Sequence, residues 1–314
     1  MTNRVGGLQT CNVTLSWGIP FVHMFHTLGY MKSRIAVPGG SATRLGSSNL
    51  RVSVEKKILQ WADGIIAATP AEQAQLIWLY RADREKISIV SPGVDLQQFY
   101  PVEDVNVVRA RLGIADHCEL LLFVGRLEPL KGVDVALDAL RLMRLEKASL
   151  FSNLRFVVVG GGDALNEGSE LDRLKTLSMK MGLSDLVDFV GSRDQSVLAD
   201  YYRAALAVIV PSDYESFGMV ALEAMACGTL VVASGVGGLA YLIPDGEAGW
   251  LIPARDSRVL AERLEFLVMN PEIRRRLVLS AAQLAQQYGW ARVVEQLLRV
   301  FQGYVLGVAS PRKS

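Results

Sequence analysis

The chain predicts an α/β protein whose parallel sheets carry helices on both faces. Three observations lead there. Short apolar runs alternate with longer helical patterns almost throughout the 314 residues, and such alternation pairs strands in parallel, with the connecting helices packed on the sheet. Half of the residues are hydrophobic and 21% are charged, a globular composition able to bury a sizeable core. Two prolines and a glycine in Ser91-Pro92-Gly93-Val94-Asp95-Leu96-Gln97-Gln98-Phe99-Tyr100-Pro101 break the alternation once. A complete doubly wound pattern follows that break. Before it there is room for about three strands.

In order, the first part offers strands at 21–25, 64–68 and 87–90. Beyond the break, strands fall at 120–124, 155–159, 187–190, 207–210, 230–233 and 250–252. Each is a short apolar run bounded by polar or glycine-rich residues. Helical periodicity occupies 133–145, 169–181, 195–204, 258–269, 271–286 and 290–301, and a further helix opens near Phe217. In the last of these patterns Val293, Val294, Leu297, Leu298 and Phe301 recur on one face. There is no internal repeat and no low-complexity tract.

The net charge of +1 gives no footing for nucleic acid. Residues 1–57, however, set Arg4, Lys32, Arg34, Arg44, Arg51, Lys56 and Lys57 against Glu55 alone. This is either a solvated basic surface or a face for an anionic acceptor or an acidic membrane, a peripheral contact. Cys11, Cys118 and Cys227 show no C-x-x-C spacing, which fits a reducing compartment. No apolar run reaches the length of a bilayer span, and Met1–Gly7 lacks a signal-peptide core. The expected location is cytoplasmic.

The most informative segment is Asp213-Tyr214-Glu215-Ser216-Phe217-Gly218-Met219-Val220-Ala221-Leu222-Glu223-Ala224-Met225-Ala226-Cys227-Gly228. It follows a strand, so Glu215 precedes a helix whose free N–H groups favour phosphate. Glu223 lies about two turns in, roughly 10 Å further along. That is too far for the retaining carboxylate pair of a hydrolase, at about 5 Å. It suits two hydroxyl-bearing ends of one long ligand with a diphosphate between them. A second motif, Gly125-Arg126-Leu127-Glu128-Pro129-Leu130-Lys131-Gly132, brings two cations to the end of strand 120–124, where ligands of open α/β sheets gather. Val157-Val158-Val159-Gly160-Gly161-Gly162 and Val190-Gly191-Ser192-Arg193 end neighbouring strands in glycine. Neither is G-x-G-x-x-G, so no nicotinamide cofactor is expected. Ser234-Gly235-Val236-Gly237-Gly238-Leu239 suggests close backbone packing beneath the same cleft.

The segment from Glu215 to Gly228 resembles the E-x7-E signature of the retaining family-4 glycosyltransferases, and Gly125–Gly132 resembles their G-R-L-x-x-x-K-G. Phe21-Val22-His23-Met24-Phe25-His26-Thr27-Leu28-Gly29-Tyr30-Met31-Lys32 is similar to the H-T-L-x-x-x-K of the branch with sucrose-phosphate synthases and mycothiol-pathway N-acetylglucosaminyltransferases. The resemblance implies the GT-B fold: two Rossmann-like parallel-sheet domains, the first incomplete because the opening strand and its glycine-rich turn are missing. It sets residues 1–105 as an acceptor-side domain, 106–285 as the nucleotide-sugar domain, 286–305 as a helix crossing back to the first domain, and 306–314 as a tail.

The roles follow by resemblance. His26, Glu215, Arg126 and Lys131 are the catalytic candidates, with the two cations on the diphosphate and His26 on the donor sugar. Phe217, Gly218, Met219, Val220, Glu223, Gly125 and Gly191 bind the donor. Lys32 and Arg51 face the acceptor, although Arg51 and Glu55, four apart on a helix, also form an ordinary ion-pair spacing. The implied activity is metal-independent transfer of a hexose from a nucleotide diphosphate, a UDP-sugar above all, to a hydroxyl with retention. The acceptor is a sugar, a sugar phosphate or a lipid-linked sugar, and no cofactor is needed. Two other readings stand beside it: a nucleotide-sugar-binding remnant or interaction protein without turnover, and a nucleotide-sugar epimerase.

Overall fold

A computed structural model describes residues 17–31, 42–115, 117–147, 153–161 and 169–306. The chain separates into two compact units, with breaks between Pro92 and Gly93 and between Trp290 and Ala291. The first break lies inside the proline- and glycine-bearing stretch where the alternation stops. The last helix belongs with the first unit.

The first unit holds a parallel sheet of β1 (Val22–Met24), β2 (Gly64–Ala67) and β3 (Ile87–Ile89), in that order, with Val22 opposite Gly64 and Ile65 opposite Ile87. Between the strands run α1 (Ala42–Trp61) and α2 (Pro70–Tyr80). Side chains alternate across a strand, so adjacent residues of β2 serve different cores. Ile65 joins Phe21, Phe25, Leu28, Ile58, Leu76 and Tyr80 on one face. Ile66 packs with Val90 on the other face against Val293 of α11 (Trp290–Val305), helped by Leu297 and Val300. Burial of each such aliphatic side chain contributes about 1.5–3 kcal/mol.

The second unit is a six-stranded parallel sheet. Its strands are β4 (Glu119–Val124), β5 (Leu154–Val159), β6 (Val187–Gly191), β7 (Ala207–Val210), β8 (Leu230–Ser234) and β9 (Trp250–Ile252), in the order β6-β5-β4-β7-β8-β9. The chain walks outward from β4 to β6 and then returns to β7 on the other side of β4. The reversal between β4 and β7 opens a crevice at the carboxyl ends of the strands. Helices α3 (Val105–Arg111), α4 (Val133–Glu146), α5 (Glu170–Lys180), α6 (Gln195–Ala204), α7 (Met219–Ala226), α8 (Leu239–Leu242), α9 (Ser257–Met269) and α10 (Pro271–Ala285) connect or flank these strands. Leu121 and Phe123 of β4 and Phe156 and Val158 of β5 share a core with Ala136, Leu137, Leu140 and Met143 of α4.

Strand 21–25 of the sequence reading shortens to Val22–Met24, and the helix expected near Phe217 opens at Met219 behind Gly218. Gly218 sits at φ 107°, outside helical geometry, which delays the start. Helices α2 and α3 escaped the periodicity, although α2 begins with a readable Thr69-Pro70-Ala71-Glu72 cap. The Thr69 hydroxyl accepts from the Glu72 N–H at 3.1 Å. No helix among the described residues is long and apolar enough to cross a membrane.

Candidate functional site

The loops after β4 and β7 meet at the strand reversal of the second unit. Gly125 closes β4 with its N–H on the Val159 carbonyl at 3.0 Å, and Leu127 N–H reaches the Gly161 carbonyl at 3.2 Å. A single 3₁₀ turn, Pro129–Lys131, then delivers Lys131, and Gly132 leads into α4. Gly132 lies at φ 68° with its α-carbon against the other loop: a β-carbon there would stand 2.0 Å from the Pro211 carbonyl oxygen. The Asp213 N–H also donates to the Leu130 carbonyl at 2.8 Å. The two loops are thus joined by backbone before any side chain takes part.

On that joint stands the ion pair of Lys131 Nζ with Glu215 Oε1, both groups largely withdrawn from solvent. The Ser212 hydroxyl donates to the same oxygen at 3.3 Å. Arg126 behaves differently. Its guanidinium is exposed and pairs with Glu128 at 2.6 Å, so the two cations share the loop but have separate partners. Beneath Glu215, the Gly238 N–H donates to the Glu215 carbonyl at 2.9 Å. A β-carbon at Gly237 would come within 2.0 Å of that same oxygen. The glycines of 234–239 therefore do support the site through backbone packing, as the sequence implied.

Behind Glu215 the chain passes buried Phe217, whose ring lies 5.8 Å from that of Tyr288, and enters α7. The first N–H groups of α7, from Met219 and Val220 onward, have no carbonyl of their own helix to bond. Glu223 sits one turn along. Its carboxylate accepts from the Tyr202 hydroxyl at 2.8 Å. Burial raises the Glu223 pKa, and the Tyr202 bond pulls it partly back; burial and the neighbouring carboxylate push the Tyr202 phenol well up. Gly191 closes β6 and accepts from the Gly160 N–H at 3.0 Å. The structure therefore gathers Gly125, Arg126, Lys131, Glu215, Phe217, Gly218, Met219, Val220, Glu223 and Gly191 along one edge of one sheet.

His26 and Arg51 belong to the first unit. His26 is exposed in the turn that follows β1, while His23, on the strand, is flanked by the Phe21 and Phe25 rings at 5.8 and 4.4 Å. Burial lowers the His23 pKa. The turn is tied down by Glu55 of α1. Its carboxylate accepts the Gly29 N–H at 2.9 and 3.1 Å, the Tyr80 hydroxyl at 2.5 Å and Arg51 Nε at 2.6 Å. Arg51 also donates to the Thr27 carbonyl. The Arg51–Glu55 pair is thus the i,i+4 contact the spacing allowed, and it braces the turn bearing His26. Lys32 and Gly162 lie outside the described residues. Tyr202, Ser212 and Tyr80 carry no signal in the sequence, since each acts through a contact that only the fold creates.

Comparison with known proteins places these motifs among relatives. The family described as glycosyl transferases group 1 matches residues 104–284, and the one described as glycosyltransferase family 4 matches residues 3–98. A D-inositol 3-phosphate glycosyltransferase of Frankia alni is 41% identical over 300 residues, covering 95% of this chain and 72% of that protein. Its namesake in Thermomonospora curvata is 40% identical over 296 residues, covering 91% and 67%. A sucrose-phosphate synthase from Thermosynechococcus elongatus superposes with a TM-score of 0.82 at 31% identity, covering 96% of this chain and 72% of that one. The Anabaena protein HepE, solved in complex with UDP, gives 0.80 at 21% identity, covering 96% and 77%, a likeness of fold.

Proposed function

The chain belongs to the group 1 glycosyltransferases with the GT-B fold, and we propose that it moves a sugar from a UDP-sugar to a hydroxyl acceptor with retention at the anomeric carbon. The observation that carries this reading is the Lys131–Glu215 pair at the strand reversal, with the N-terminus of α7 immediately behind it. A cation, a carboxylate and free helix N–H groups close together are the groups that a diphosphate and a sugar call for, which supports the reading. In this reading Lys131 and Arg126 stabilise charge on the departing diphosphate. Glu223 takes the ribose hydroxyls, with Tyr202 holding its carboxylate in place. Glu215 and the backbone from Phe217 to Val220 hold the donor sugar, and Gly125 and Gly191 let the nucleotide approach the strand ends.

Among the residues of the first unit, the family resemblance assigns His26 to the donor sugar and Lys32 and Arg51 to the acceptor. The names of the relatives point to a phosphorylated polyol of the D-inositol 3-phosphate kind among the sugar, sugar-phosphate and lipid-linked acceptors considered. No carboxylate nucleophile is required. The leaving phosphate receives the acceptor proton on the face it departs from, so catalysis is positioning plus charge stabilisation.

The test is an assay of the chain with UDP- and GDP-sugars and D-inositol 3-phosphate, with the product's anomeric configuration read by NMR. An inverted product rejects retention. Binding of UDP with no transfer to any acceptor favours the binding remnant, and interconversion of the donor alone favours the epimerase.

A further inference from the structure

Arg255 lies in the turn between β9 and α9, closed by the Asp256 N–H on the Pro253 carbonyl at 3.3 Å. Its backbone is at φ 62°, a conformation in which glycine rests easily and a side-chain-bearing residue is strained. The side chain shows what holds it there. Nε donates to Asp213 Oδ1 at 2.7 Å, and Nη2 to Asp213 Oδ2 at 2.7 Å and to the Pro129 carbonyl at 3.1 Å. Nη1 donates to both oxygens of Asp134, at 3.1 and 2.9 Å. A guanidinium has five N–H donors in one plane, and here each of its three nitrogens is engaged.

Their targets lie in the loops that bear the ion pair. Pro129 and Asp134 flank Lys131, and Asp213 stands two residues before Glu215. We propose that Arg255 is a positioning residue for the diphosphate site: it clasps the loops after β4 and β7 together and neutralises Asp134 and Asp213, which stand three residues after Lys131 and two before Glu215 in the chain. With all three nitrogens held by the two loops, it acts through Lys131 and Glu215 rather than on the substrate itself. Without it, Asp213 and Asp134 oppose the anion that Lys131 attracts, and among the described residues Asp134 keeps only Arg173, at 3.8 Å. The loops then keep their backbone joint and the Lys131–Glu215 pair alone. This rests on the reading of the second unit as the nucleotide site. A lysine retains the charge but loses the planar fork, whereas a glycine loses both and relieves the backbone. The two substitutions therefore separate stability from binding.

The experiment titrates the full chain and its Arg255→Gly and Arg255→Lys variants with UDP and with uridine, alongside thermal midpoints. Arg255→Gly should melt no lower than Arg255→Lys yet bind UDP about tenfold more weakly than the unsubstituted chain, with uridine affinity within about twofold of it. Arg255→Lys should lose several-fold for UDP alone. UDP affinity that follows the thermal midpoint, an equal loss for uridine, or an Arg255→Gly variant that binds UDP at full strength each overturn the proposal. Should Arg255→Gly not fold, the UDP-against-uridine comparison in Arg255→Lys decides. An unsubstituted chain that binds neither UDP nor GDP defeats the underlying reading instead.

Discussion

The hydroxyl of Tyr202, on α6, donates to the carboxylate of Glu223, on α7, at 2.8 Å. The two helices flank β7, and the phenol is wholly buried while the carboxylate is partly so. Tyr202→Phe keeps the ring and leaves Glu223 without this donor. The expected cost is about 1 kcal/mol of unfolding free energy in urea, with a further rise of the Glu223 pKa and weaker UDP binding as its carboxylate loses its fixed orientation. UDP affinity unchanged in a correctly folded variant would separate Glu223 from the ribose.

Lys131→Ala removes the cation and also releases Glu215 from its ion pair. A single stabiliser of leaving-group charge commonly supplies roughly 3–4 kcal/mol of barrier, so turnover should fall about 100- to 1,000-fold. Arg126→Ala should also slow turnover, but among the described residues its exposed guanidinium pairs with Glu128 of its own loop, and stability should stay within about 0.5 kcal/mol. Normal turnover in either purified variant contradicts the assignment.

Glu72 gives a pH signature independent of catalysis. Its Oε2 accepts the Ala68 N–H at 2.7 Å, and its Oε1 is buried without a hydrogen-bond partner among the described residues. Burial raises its pKa from 4.5 to about 7, against the pull of the Ala68 bond. Between those values the unfolded chain has released a proton that the folded chain keeps, so stability falls as pH rises and the loss is complete above about 7. Integrated over the window, this is about 3 kcal/mol. Glu72→Gln should remove that part of the slope, so urea unfolding at pH 5 and pH 8 should differ less in the variant. Parallel pH curves for the two proteins would rule it out.

Helix α11 closes one face of the first unit's sheet through Val293, Leu297 and Val300. Removing residues 290–314 exposes Ile66 and Val90, and hydrogen exchange should quicken across β2 and β3 while β4 to β8 keep their protection. Equal loss in both sheets would show that the helix supports something other than this face.

The larger sheet was legible because its strands are compact apolar runs ended by glycine or proline, as at Gly125, Gly160, Gly191, Pro211, Gly235 and Pro253. The candidate site at the strand ends was read from Gly125–Gly132 and Glu215–Glu223, whose residue types state their chemistry, while the strand order that makes it a switch point was not. What stayed hidden is tertiary. Nothing in the sequence near Arg126 says that Lys131, not Arg126, takes Glu215, because that choice depends on the 3₁₀ turn and on Gly132 resting against Pro211. Arg51 and Glu55 read as a helix pair, but their grip on Thr27 and Gly29 required the turn after β1 to come into place. Glu72 gave its cap signature in plain view, yet its burial follows from packing alone.

The return of the last helix to the first unit sets an order of events during synthesis. Ile66 and Val90 leave the ribosome about two hundred residues before Val293, a wait on the order of 10–40 s at 5–20 residues per second. Throughout that interval one side of the small sheet lacks the α11 residues that pack on it, while β4 to β9 and α10 emerge with their own core. The later-made unit therefore matures first. The earlier one completes its second face only when Val293, Leu297 and Val300 arrive.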